Sequence, residues 1–157
     1  MYFFFQVQSF EYSSEGSLTQ KMRITDELIK YTTNYSEGEE TTFAMDDLGN
    51  TRPWSHVKEH YGSGHALTQK TVTYDDGKQY AFDYSDEVLR KITVTDSQDT
   101  YYWERSERVY DQNSVLQSST LVRDDGIGFT SIYEGTRVSE LWRSDLSDVR
   151  NWNILKS

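Results

Sequence analysis

Leu18-Thr19-Gln20-Lys21 and Leu67-Thr68-Gln69-Lys70 spell the same tetrapeptide, 49 residues apart. Displacing the sequence by that interval aligns Tyr12, Tyr61 and Tyr110, then Leu18, Leu67 and Leu116, then Asp26, Asp75 and Asp124. It also aligns Tyr31, Tyr80 and Phe129, then Tyr35, Tyr84 and Tyr133, then Phe43, Ile92 and Leu141, then Asp47, Asp96 and Asp145. Phe5, Trp54, Trp103 and Trp152 form a further column. One matching tetrapeptide is within chance, but eight ungapped columns are not, and a tandem repeat constrains the fold before any other feature does.

Inside the unit the pattern has the period of two that belongs to strands. Tyr80-Ala81-Phe82-Asp83-Tyr84 alternates aromatic with small or polar residues, and Leu18, Gln20, Met22 and Ile24 share one face of their segment. Helical spacing is nowhere sustained. Asp75-Asp76-Gly77 and Asp124-Asp125-Gly126 end in the Asp-Gly pair of tight hairpins, where glycine takes a positive φ without steric cost, and Gly16, Gly62 and Gly64 mark another bend. In the second unit strands are predicted near 53–61, 66–74, 78–84 and 88–95.

The fold class predicted is all-β: three tandem units of about 49 residues, each of four antiparallel strands, forming an open, sheet-rich array. The whole chain, 1–157, reads as a single repeat domain with units near 3–51, 52–100 and 101–149 and the start of a fourth at 150–157. Four copies of the Phe5/Trp column favour the open array, but the same arithmetic suits a β-trefoil or a propeller-like closure.

Composition narrows the function classes. A hydrophobic content of 35% predicts a thin core, whereas 15% aromatic residues and a single proline, Pro53, argue against disorder. The net charge of -10 disfavours nucleic acid, whose phosphates it would repel. With no cysteine there is no disulfide and no thiolate metal site or nucleophile. No stretch reaches the ~18 apolar residues of a membrane helix, so no membrane insertion is expected. The opening MYFFFQVQSF lacks the marks of a signal peptide.

At the turns, Tyr12-Ser13-Ser14-Glu15-Gly16-Ser17-Leu18 and Tyr110-Asp111-Gln112-Asn113-Ser114-Val115-Leu116 resemble the Y-D-x-x-G-x-L core of tyrosine-aspartate (YD, Rhs-type) repeats. Tyr74-Asp75-Asp76-Gly77 is similar, and the long tryptophan-to-tryptophan unit resembles degenerate repeats of large secreted bacterial proteins of the hemolysin-type (RTX) group. The chain departs from the pattern at His65 and Ser114, which stand at the motif glycine, and at Leu28, which replaces the glycine of the Asp-Asp-Gly turn. The nonapeptide calcium repeat is absent. The resemblance implies a secreted or surface-associated structural role.

The candidate site residues are few. Trp54, Trp103 and Trp152 are either the packing residue of each repeat or platforms that stack on sugar rings, since an indole face suits an apolar C–H surface. Trp142 stands where the other units have Ala44 and Thr93, which makes it a candidate exposed contact. Asp75, Asp76, Asp124 and Asp125 are candidate weak calcium ligands, although one site takes 6–8 oxygens and turn formation already accounts for them. His56 and His60 share a strand face roughly 13 Å apart, too far for one zinc. Phe3, Phe4 and Phe5 at one end and Trp152, Ile154 and Leu155 at the other are a candidate assembly interface.

No nucleophile elbow, phosphate loop or metalloprotease motif is present, so no enzyme and no cofactor beyond calcium is expected. The expected function is a non-enzymatic structural or adhesive repeat module, extracellular or at the cell surface with the cytosol left open, that self-associates head to tail. The alternative is a multivalent carbohydrate-binding protein with glycan as its partner.

Overall fold

A computed structural model describes residues 5–147 and 154–156, with side chains described from residue 7 to residue 147. It groups the chain into two compact bodies, Met1–Asp75 and Asp76–Ser157. The first body holds β1 (Phe5–Tyr12), β2 (Leu18–Thr25), β3 (Ile29–Ser36), β4 (Glu39–Asp47) and β5 (Trp54–Tyr61). A single 3-10 turn at Ser63–His65 then leads into β6 (Leu67–Tyr74). Each strand pairs antiparallel with the next.

The second body holds β7 (Lys78–Ser85), β8 (Val88–Asp96), β9 (Trp103–Tyr110), β10 (Leu116–Arg123), β11 (Ile127–Glu134), β12 (Arg137–Asp145) and the short β13 (Ile154–Lys156). Again each strand pairs antiparallel with its successor. The protein is therefore all-β and built from antiparallel hairpins. Within each body the sheet is open, because among the described strands the first does not pair with the last. The closure that a trefoil or propeller needs is not found there.

Strand bounds recur at a fixed offset. The sets β1, β5 and β9 begin at Phe5, Trp54 and Trp103, and β2, β6 and β10 at Leu18, Leu67 and Leu116, so each advances by 49 residues. The sets beginning at Ile29, Lys78 and Ile127 and at Glu39, Val88 and Arg137 advance identically. Irregularities in the ladder recur too: a register shift falls at Asn34/Tyr35, at Asp83/Tyr84 and at Ile132/Tyr133. A bulge adds local twist and fixes which way the following side chains face, so its recurrence keeps the same column on the same face.

The two faces differ. In the first body one cross-strand row reads Arg23, Tyr31, Met45, Val57, Val72, and the next reads Phe10, Lys21, Thr33, Phe43, Glu59, Lys70. The opposite face is polar, with the row Gln20, Asn34, Thr42, His60, Gln69. There Gln20 Nε2 donates to Asn34 Oδ1 at 2.9 Å, and Asn34 Nδ2 to Thr42 Oγ1 at 2.6 Å. In the second body Tyr80, Val94, Ser106, Leu121, Phe129 and Arg143 form the corresponding aromatic row.

Contacts between strands run between sequence neighbours, so side chains are covered mainly by partners on their own face. Most strand residues are accordingly half-buried. The buried apolar side chains are Ile29, Val57, Val72, Val122 and Ile127, and only Ile127 is wholly enclosed among the described residues.

The turns repeat a left-handed position at the same 49-residue offset. Gly16, His65 and Ser114 all take a positive φ, at 83°, 61° and 61°. Leu28, Gly77 and Gly126 do the same at 58°, 87° and 75°. The left-handed region costs a non-glycine residue roughly 1–2 kcal/mol, yet these positions hold the conformation with glycine and without it.

Candidate functional site

Trp54 and Trp103 open strands β5 and β9, opposite Tyr74 and Arg123, and both are half-buried. Trp103 stacks on Tyr101 with centroids 5.6 Å apart and planes 16° from parallel. Tyr101 in turn donates from its hydroxyl to Asp76 Oδ2 at 3.1 Å, and Lys78 Nζ lies 4.2 Å above its ring. Trp103, Tyr101, Lys78 and Asp76 thus form one aromatic and ionic cluster at the strand ends of the second body. Its hydrogen bonds to the Tyr101 hydroxyl oxygen and the Asp76 carboxylate hold the Lys78 ammonium pKa well above the usual lysine range. Trp152 lies outside the described residues.

Trp142 ends a cross-strand row that reads Ala81, Thr93, Glu107, Thr120 and Thr130, with Thr130 directly opposite it. It borders a shallow depression with Thr130, Ile132 and Ser144. Its indole N–H donates to Glu140 Oε2 at 2.9 Å, which fixes the ring. Sequence marked Trp142 as an exposed contact, and the structure places it half-buried on the threonine face.

The aspartates named as calcium candidates fall at two turns. Asp76 Oδ1 accepts from the Lys78 backbone at 3.1 Å, and Asp76 Oδ2 meets Lys78 Nζ at 2.9 Å. Asp125 Oδ1 accepts from the Ile127 backbone at 3.2 Å, and Asp125 Oδ2 pairs with Arg123 at 3.2 Å. The Asp75 backbone N–H reaches Pro53 O at 3.3 Å. Asp124 is exposed, and desolvation with the neighbouring Asp99, Asp96, Glu104 and Asp125 carboxylates raises its pKa above the ordinary carboxylate value. Among the described residues no group of three or more His, Asp or Glu side chains is placed to hold a metal ion.

A role that sequence alignment detected without explaining belongs to Asp47 and Asp96. Asp47 Oδ1 accepts from Gly49 N at 3.2 Å, and its Oδ2 accepts from Thr51 N at 2.7 Å and Arg52 N at 2.5 Å. Asp96 accepts in the same way from Gln98 N at 3.3 Å and Tyr101 N at 2.5 Å. The loop so fixed is tied across to the preceding turn by Arg52 to Glu27 at 2.7 Å in the first body and by Tyr101 to Asp76 in the second. Two different chemistries make the same link 49 residues apart.

The histidines separate as their spacing predicts. His56 Nδ1 meets Asp46 Oδ1 at 2.6 Å, and Asp46 also pairs with Lys30 at 3.3 Å. His65 stacks on Tyr61 with centroids 4.3 Å apart. Burial and the Lys58 ammonium lower the His60 pKa. On the other face Glu59 accepts from Tyr61 Oη at 2.7 Å and from Lys70 Nζ at 2.8 Å. Burial pushes the Tyr61 phenol well above its usual range, helped by Glu59.

Phe3 and Phe4 lie outside the described residues. For Phe5, Ile154 and Leu155 only the backbone is described, with Phe5 at the start of β1 and Ile154 and Leu155 in β13. The register Ser144 to Ile154 and Arg143 to Leu155 repeats that of Thr95 to Arg105 and Val94 to Ser106. Among the described residues no helix is long and apolar enough to cross a membrane. No protein-family model and no curated protein matches the chain.

Proposed function

We propose that this protein is a non-enzymatic structural or adhesive module built from three 49-residue units of four strands, of the degenerate YD-repeat kind, in a secreted or surface-associated bacterial protein. The observation that carries the reading is the common offset of strand bounds, bulges and loop-fixing aspartates. Repetition at that level suits a body whose stability comes from nearest-neighbour terms and whose end strands accept a further strand. Head-to-tail self-association follows as the expected behaviour. Beads coated with the full chain should clump, and soluble chain should disperse them. Beads that stay separate at every coating density would overturn the adhesive reading.

A second reading, carbohydrate binding, is favoured by the half-buried Tyr101–Trp103 stack beside Asp76, since a ring platform with an adjacent carboxylate suits a sugar's C–H face and hydroxyls. On a glycan array, binding that disappears in W103A while the fold persists would favour this reading. Binding that survives the substitution would remove the stack from it.

A further inference from the structure

We propose that the face formed by β2, β3 and β4 binds a carboxylated saccharide, with one hexuronate-type ring as the ligand. Lys21, Arg23, Tyr31, Thr33, Tyr35, Glu40 and Phe43 line a depression of about 250 Å³ there. Register explains its shape. Thr33 stands between Lys21 on β2 and Phe43 on β4, Arg23 is opposite Tyr31, and Tyr35 is opposite Glu40. A short side chain at the centre of longer ones leaves a hollow, and the hollow is walled by rings and rimmed by charge.

The internal repeat separates what packing needs from what it does not. The aromatic frame persists in the other units, as Tyr80 and Phe129 for Tyr31 and as Tyr84 and Tyr133 for Tyr35. Arg23, however, is replaced by Val72 and Leu121, and Glu40 by Leu89 and Val138. Two positions that the other repeats fill with aliphatic side chains thus carry opposite charges in the first repeat only. Val72 is buried in the place equivalent to Arg23, so an apolar residue satisfies the fold at that position.

Their arrangement fits an acidic sugar. The Tyr31 and Phe43 rings, 6.2 Å apart and inclined at 37°, offer faces to a pyranose C–H surface. The Arg23 guanidinium is held 4.4 Å above the Tyr31 centroid, where its planar fork can take a carboxylate with Lys21 as a second cation. Glu40, Thr33 and Tyr35 supply acceptors and donors for ring hydroxyls. The volume is below the ~300–1,000 Å³ of sites for drug-sized ligands, which limits the occupant to about one ring. The site stands whether or not the chain self-associates.

The test is an NMR titration of the isotope-labelled full chain with glucuronate, with acetate and glucose as separate arms. Glucuronate should shift amides of β2, β3 and β4 and saturate in roughly the millimolar range expected of a single ring, with both controls about tenfold weaker or more. R23V and E40L install residues that the second repeat itself carries, so both should keep the spectrum of the remaining strands. R23V should weaken glucuronate by about tenfold or more, the loss of one charge-assisted pair. Equal binding of acetate would make this a simple anion site, and equal binding of glucose would make the carboxylate irrelevant. Either result, an unaffected R23V, or no shift at all would overturn the proposal.

Discussion

Leu28 carries a β-carbon in a left-handed turn where Gly77 and Gly126 carry none, and the residue that faces it differs in compensation. Gly49 approaches the Leu28 β-carbon, so that a Cβ at Gly49 would lie 3.3 Å from it. At the equivalent places Gln98 and Ser147 face Gly77 and Gly126, whose added Cβ atoms would come within 2.7 Å and 2.5 Å of them. Each turn thus has room for one side chain of the pair. Gly77→Ala is expected to cost about 2 kcal/mol or more, from left-handed strain plus overlap with Gln98. G77L combined with Q98G, which copies the first repeat, should recover part of the cost of G77L, with a coupling of about 1 kcal/mol read by urea denaturation. Leu28→Gly should be nearly neutral, because relief of strain is offset by the wider freedom of glycine in the unfolded chain. Asp47→Ala, which frees three backbone N–H groups, should cost about 2 kcal/mol in the same measurement.

Most of this was hard to foresee in single residues. The aspartate column 47, 96, 145 is visible in the sequence, but its purpose depends on a loop conformation that no local pattern encodes. The tryptophans illustrate the reverse. Their repetition marks them out, yet both described members of the column stand half-buried at strand starts, because sheets whose strands contact only their neighbours leave few places where an indole is fully enclosed.

At the scale of strands and hairpins the sequence is far more legible. The predicted strands at 53–61, 66–74, 78–84 and 88–95 lie within one or two residues of β5 to β8, because period-two alternation and turn residues act together. The two-residue turns between β3 and β4 and between β7 and β8 are less legible. They place Glu37 and Gly38, and then Asp86 and Glu87, at positive φ, and the second has no glycine to announce it.

Cross-strand pairing carries a pH signature. Burial alone would raise the pKa of Glu59, but its hydrogen bonds from Lys70 and Tyr61 outweigh that and hold it below the ordinary 4.5. A carboxylate whose pKa is depressed by folding stabilises the folded state above its unfolded pKa, and the contribution fades as pH falls through the folded one. Lys70→Met should therefore cost up to about 1 kcal/mol at neutral pH, and the difference from the parent should shrink below about pH 4.5. A gap that stays constant into acid would show that Lys70 acts through packing instead.

For the whole molecule, 26 acidic against 16 basic side chains, with few enclosed apolar residues among those described, imply that self-repulsion is a large part of the balance. Added sodium chloride at neutral pH should raise the melting temperature, since screening weakens that repulsion more than it weakens the short pairs. A fall with salt would mean that the surface pairs dominate. The sequence made the common period legible from eight columns, whereas the identity of each face emerged only once bulges and register were known.

The central claim is that residues 49 apart in the sequence occupy equivalent positions in antiparallel ladders between neighbouring strands. Backbone nuclear Overhauser effects test it most directly at Tyr31 with Met45, Tyr80 with Val94 and Phe129 with Arg143, three pairs of partners in identical register. The account predicts cross-strand contacts of the same kind at all three. A shifted partner at any one of the three pairs would contradict it.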